Sequence, residues 1–244
     1  MTKLFKSEFY KLRKSPIWLL IFISPLLSLL IGFQEFSEIM EFEKSQWTAI
    51  LGIMTISHAI LFLPLLTGVF ASFICRYEHA NGGWKQLLTL PVSRRHLYMV
   101  KLLLIMVLIG MTQLLFVAAL LFLGWQKGFT ADIPWSIIAS SIAGGWMACL
   151  PLMALQLFVS VAWSSFAAPL AINVIFTIPN MIIINSERFG PYYPWAQPFL
   201  LMMPDSSESF IALNTSAVTL LAVVLGGFAV FFVTGYSYFM RKEI

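Results

Sequence analysis

Long apolar runs separated by short polar stretches set the pattern of this 244-residue chain. Six runs fall at about 17–33, 47–74, 99–125, 134–163, 166–185 and 210–240. Crossing a hydrocarbon core of ~30 Å takes ~20 apolar residues, and a lone segment in lipid satisfies its own backbone only as a helix. The pattern predicts an all-α, polytopic membrane protein with six transmembrane helices, read as one transmembrane domain over 1–244. Residues 2–14 predict a further helix lying at the membrane surface. Phe5, Phe9 and Leu12 share one face there, while Lys3, Lys6, Lys11, Arg13 and Lys14 reach toward headgroups.

One long polar interruption stands out, Arg76 to Lys101, RYEHANGGWKQLLTLPVSRRHLYMVK. It carries five of the fifteen basic residues, Arg76, Lys85, Arg94, Arg95 and Lys101. Its centre, Trp84-Lys85-Gln86-Leu87-Leu88, is amphipathic, opened by Asn81-Gly82-Gly83 and closed by Pro91. A loop serving only topology needs none of these features, so the stretch predicts a short helix that docks on a partner. The plain alternative is a solvated basic loop.

Composition fixes the class. The chain is 59% hydrophobic and 11% charged, against about 25% charged in soluble domains, so it has too little polar surface to face water all round. Charge then fixes an expected orientation. With six spans, twelve Lys and Arg fall on one side and only Lys44, Lys127 and Arg188 on the other. Positive residues mark the cytoplasmic side, which places both termini and the 76–101 stretch inside. The basic residues flank spans rather than forming a soluble face, so the net charge of +4 does not point to nucleic acid. The first run follows a basic segment with no small-x-small cleavage site after it, and is expected to be retained. Cys75 is expected at a cytoplasmic helix end and Cys149 near mid-membrane, too far apart for a disulfide.

With Lys101 counted in the polar stretch, the spans contain no Asp, Glu, Lys or Arg. Intramembrane charges mark ion paths and proton relays, so this reading argues against an ion-coupled transporter. His58, His79 and His96 are not spaced as metal ligands, and no GxxxxGK[ST] phosphate loop is present. No catalytic cluster is legible. The polar residues inside the spans are His58, Gln113, Gln156, Asn173, Asn180 and Asn185. Such groups commonly bond helix to helix. Asn173 and Asn180, seven apart on nearly one face and near Pro169 and Pro179, are also the candidate lining of a substrate path. Ser140-x3-Gly144, Ser141-x3-Gly145 and Ala222-x3-Gly226 predict close helix contacts, within the chain or between chains. Outside, Gln34–Gln46 predicts a short amphipathic helix. Phe199-Leu200-Leu201-Met202-Met203 is too short to cross and predicts a re-entrant or interfacial helix, or else part of an aromatic belt.

Two stretches resemble the membrane subunits of type-2 ABC exporters. One is Glu8-Phe9-Tyr10-Lys11-Leu12-Arg13-Lys14-Ser15. The other is Glu78-x2-Asn81-Gly82-Gly83-Trp84-Lys85-Gln86-Leu87-Leu88-Thr89-Leu90-Pro91-Val92-Ser93-Arg94. The six-run layout matches too, and the wording is most similar to permeases that protect Gram-positive bacteria from lantibiotics or bacitracin. The resemblance implies a cytoplasmic coupling helix between spans 2 and 3 that docks on an ATP-binding subunit. Trp84, Leu87 and Leu88 would fill a groove on that partner, and Glu78, Lys85 and Arg94 would fix register at its rim. It implies two such subunits, carrying ATP and Mg²⁺ that this chain does not bind itself. It also implies a second permease, identical or related, in a bacterial plasma membrane.

A different class of function stays open, a non-transporting anchor or sensor that recruits a cytosolic partner through the same loop. Substrate is thinly marked. Glu35, Glu38, Glu41 and Glu43 against Lys44 on the outer side would attract a cationic peptide, or simply fill positions from which basic residues are excluded.

Overall fold

A computed structural model describes residues 2–13, 15–39, 46–79, 83–89, 92–204 and 216–242, with backbone alone at 35–39 and 87–89. Among the described residues the chain is all-helical. A surface helix α1 (Thr2–Leu12) leads into α2 (Ile17–Ile39). Helices α3 (Gln46–Ser57) and α4 (Leu63–His79) are joined by a π-helical turn, His58–Phe62, into one 34-residue rod. Then come α5 (Gly83–Thr89), α6 (Arg94–Gln126), the kinked pair α7 (Trp135–Ala148) and α8 (Leu150–Ala162), and the broken pair α9 (Ala167–Thr177) and α10 (Asn180–Ile183). The chain ends with α11 (Gln197–Met202) and α12 (Ala217–Arg241).

Among the described residues, five helices are long and apolar enough to cross a membrane: Ile17–Gln34, Gln46–His79, Arg94–Gln126, Trp135–Ala162 and Ala217–Arg241. The fifth predicted run, 166–185, forms only the shorter Ala167–Ile183, interrupted before Pro179. The second and third runs extend as helix beyond their apolar limits, to His79 and from Arg94. α2 likewise continues to Ile39, taking the start of the segment read as a separate outer helix; residues 40–45, with Glu41, Glu43 and Lys44, lie outside the described residues.

The π turn has a sequence cause. Pro64 has no N–H to give Ile60, whose carbonyl therefore lacks its helical partner. The turn widens, Leu63 N–H bonds His58 O, and Asn180 Nδ2 donates to Ile60 O at 2.7 Å. His58, fully buried there, bonds Ser24 at 2.5 Å and Gln113 at 3.0 Å, so three helices meet at one ring.

α11 returns into the bundle and packs chiefly on α7, with Phe199 and Met202 buried. The small-residue pattern on α7 makes that possible. A Cβ on Gly144 would lie 2.7 Å from Leu201 O, and one on Gly145 would collide with Met202 and sit 2.8 Å from Gln113 Nε2. Ser141 Oγ donates to the Met202 carbonyl. These small residues thus serve a contact within the chain, whereas Gly226 on α12 faces open space. Gly145→Leu is expected to expel α11 and lower thermal stability in detergent by ~1–3 kcal/mol, the usual cost of overpacking. Gly226→Leu should leave it unchanged. Equal melting of the two variants would refute the seating of α11.

Candidate functional site

The buried charged side chains Glu8, Glu78 and Lys101 gather at one end of the bundle, where α1, α4, α5, α6, α8 and α12 meet. Glu8 lies on the inward face of α1, between Leu4 and Leu12, and is only 3% exposed. Glu78 is in the last turn of α4, also 3% exposed, and Lys101 is two turns into α6 at 1%. Lys101 Nζ lies 3.0 Å from Glu8 Oε2 and 2.9 Å from Glu78 Oε2, and donates to Ile74 O at 3.0 Å. The contacts to Glu8 and Ile74 O are hydrogen bonds, and the contact to Glu78 Oε2 is an ion pair. Lys11, half-buried on α1, closes the ring, 2.5 Å from Glu8 Oε1 and 2.9 Å from Glu78 Oε1. Two carboxylates and two ammoniums make the cluster neutral, the condition under which buried charge is tolerated. It clasps α1, α4 and α6.

α5 hangs from this cluster. Gly83 lets it begin directly over the end of α4, since a Cβ there would lie 2.7 Å from Tyr77 O and 2.9 Å from Glu78 Cα. Trp84 then turns inward, 5% exposed. Its ring centroid is 5.6 Å from Lys101 Nζ and 5.3 Å from the Phe239 ring on α12. Its indole N–H donates to His79 Nδ1 at 3.2 Å, so His79 is the neutral tautomer with its proton on Nε2, and that proton goes to Ser160 O on α8 at 2.7 Å. Lys85 and Gln86 point outward.

Arg94 works on α12. Its guanidinium donates to the carbonyls of Lys242 at 2.7 Å, Met240 at 3.3 Å and Phe239 at 3.5 Å, satisfying the helix end that has no intrahelical partners. Lys242 in turn donates to Val161 O at the end of α8, at 2.6 Å, and burial holds its ammonium below the ordinary lysine range.

Of the residues read as docking groups, the structure therefore turns Glu78, Trp84 and Arg94 inward, onto Lys101 and Lys11, onto His79 and Phe239, and onto the α12 carbonyls. Gly83 packs on α4, and Lys85 and Gln86 remain on the outer face. Asn81, Gly82 and Pro91 lie outside the described residues, as do the side chains of Leu87 and Leu88. The reading of the spans as charge-free fails at Lys101, which sits within the third helix. Glu8, Lys11, His79 and Lys101 were missed as a group. Their signal was available: a lone acid in a basic flank, and a lysine inside the first turns of an apolar run.

Asn173 and Asn180 do come together around one stretch of chain, as clamps. Asn173, 1% exposed, donates to Pro64 O at 2.9 Å and Leu65 O at 3.1 Å, and accepts from Gln156 Nε2 at 3.1 Å and Trp195 Nε1 at 2.8 Å. Asn180 bridges Ile60 O and Trp195 O, at 2.7 and 2.9 Å. Both are sealed in packing. A change at either breaks bonds between helices whatever the protein does, so tolerance there does not separate a permease from an anchor. Cys75 and Cys149 are both buried and free.

Comparison with known proteins gives the family. A family model described as ABC-2 family transporter protein matches residues 4–180. That span takes in the ion cluster, α5 and both asparagines. The Bacitracin transport permease protein BCRB of Bacillus licheniformis is 24% identical over 181 residues, covering 69% of this chain and 86% of that protein.

Proposed function

The chain belongs to the ABC-2 family of transporter proteins, and from that premise we propose that it is the permease subunit of an ATP-driven exporter which moves a hydrophobic or antimicrobial-peptide-like substrate outward from the membrane, in self-immunity or resistance. ATP and Mg²⁺ are held by two separate ATP-binding subunits, and a second permease, identical or related, completes the unit in a bacterial plasma membrane. The likeness to a permease named for bacitracin supports a peptide antibiotic as substrate class. The acidic run at Glu35–Glu43 gives a cationic peptide a weak electrostatic attraction.

The observation that carries the reading is α5, a seven-residue helix presented at one end of the bundle and pinned by Trp84 to α4 and α12. Force applied to its outer face has a packed route through Trp84 to α4, α6 and α12. The same end holds α1, α5 and the tail. Lys11 meets Glu78, and Arg94 meets the Lys242 carbonyl. Termini on one side require an even number of crossings, which supports six spans with α9–α10 as the short fifth. The charge asymmetry supports that side as cytoplasmic, with α1 at the lipid surface.

Pull-down of the chain from detergent-solubilised native membranes, with partners identified by mass, tests the reading. An ATP-binding-cassette subunit is expected with the wild-type chain. It should be lost when Leu87 and Leu88 are both changed to Asp, while membrane insertion is retained. Full co-recovery with that variant would sink the docking role of α5. Absence of any nucleotide-binding subunit would bring forward an anchor without transport.

A further inference from the structure

Beside the α5 anchor lies a cavity of about 200 Å³ with a lining unlike the rest of the bundle: Ser72, Arg76 and His79 from α4, Ser160 from α8, and Ser164 and Ser165 with Phe166 and Pro169 at the turn into α9. At ~30 Å³ per water, that is room for roughly six waters, enough for a phosphate group and a little more. Among the described residues no carboxylate lines it. Among the described residues Arg76 has no acidic partner. Its guanidinium carbon stands 5.5 Å from the Phe166 centroid, which leaves its N–H edges available. Glu78, the nearest acid in sequence, is consumed by Lys101 and Lys11. The hydroxyls of Ser72 and Ser160 lie 3.4 Å apart in the floor, both buried, and Ser164 and Ser165 stand exposed at the mouth. His79 is fully committed to Trp84 and Ser160, so it forms a neutral wall.

We propose that this cavity binds a phosphate-bearing anion, held by the Arg76 guanidinium and the serine hydroxyls. Planar N–H pairs suit phosphate oxygens, and hydroxyls complete the shell without adding charge. Two sources share this chemistry, a glycerophospholipid headgroup and free phosphate. The orientation proposed above puts the cavity at the inner headgroup level, and the lipid assignment rests on that reading; anion binding itself does not. An occupant would touch His79, one hydrogen bond away from the α5 pin.

The test uses the purified full chain in detergent, titrated with phosphatidylglycerol, with diacylglycerol of the same acyl chains and with inorganic phosphate, and read by native mass spectrometry. Phosphatidylglycerol is expected to bind saturably and diacylglycerol at least tenfold more weakly. Arg76→Gln should weaken phosphatidylglycerol about tenfold. Ser164→Asp with Ser165→Asp, which places carboxylates at the exposed mouth, should weaken it at least as much. Displacement of the lipid by millimolar phosphate supports a free anion as the occupant, and lack of displacement supports the headgroup. Wild-type affinity in both variants overturns the proposal, as does equal binding of diacylglycerol. Should Arg76→Gln fail to fold, the serine pair decides alone. The assay contains no ATP-binding subunit, so its outcome is separate from that of the pull-down.

Discussion

Replacing Lys101 by methionine is expected to destabilise the folded chain by about 3–5 kcal/mol, the cost of breaking a buried ion pair from one side. The side chain is of similar length and keeps most of its packing, so the loss is electrostatic. Glu8 and Glu78, each 3% exposed, would be left with Lys11 alone, and the cluster would carry a net negative charge inside the bundle. α1 should detach first, since its buried face centres on Glu8. Unfolding by denaturing detergent measures the loss. The decisive comparison adds Glu78→Gln. That second change restores neutrality with a Glu8–Lys11 pair, so the double variant should be more stable than Lys101→Met by on the order of 1–3 kcal/mol. A double variant less stable than the single, or a Lys101→Met chain as stable as wild type, would refute the cluster as a neutral clasp.

That cluster marks the limit of what the hydrophobic pattern reveals. Class, helical content and the positions of the long helices follow directly from apolar runs, because lipid allows a spanning segment little but helix. The short helix α11 was also visible as a short apolar run, and the small residues that seat it on α7 as a spacing signal. Direction was not. Glu78, Trp84 and Arg94 read as surface groups because they sit in a polar stretch, yet the neighbours that turn them inward are remote in sequence: Lys101 and Lys11, Phe239, and the last carbonyls of α12. Composition tells that a stretch is polar, and only tertiary placement tells which side of it faces the protein. Pro64 was passed over for the same reason. The carbonyl it frees, Ile60 O, is answered by Asn180, 120 residues away.

Trp84→Ala separates anchoring from docking. Trp84 faces the bundle, so its removal should leave the outer face of α5, with Lys85 and Gln86, able to meet a partner. Co-recovery of the ATP-binding subunit is expected to stay within about twofold of wild type. Transmission is a different matter. The indole is the link from α5 to His79, to Phe239 and to the Lys101 cluster, and loss of a buried Trp costs about 3–5 kcal/mol. For a seven-residue helix that loss is enough for local detachment without global unfolding. Substrate-dependent protection and stimulation of the partner's ATPase should therefore fall at least tenfold while the complex persists. Trp84→Phe keeps a ring between Lys101 and Phe239 but loses the bond to His79, worth ~1 kcal/mol, and should retain most of the function. The Leu87, Leu88 double Asp variant should show the reverse, with the complex lost. If Trp84→Ala dissociates the complex as fully as that variant does, Trp84 is itself a docking residue, and the inward packing seen here belongs to the chain without its partner.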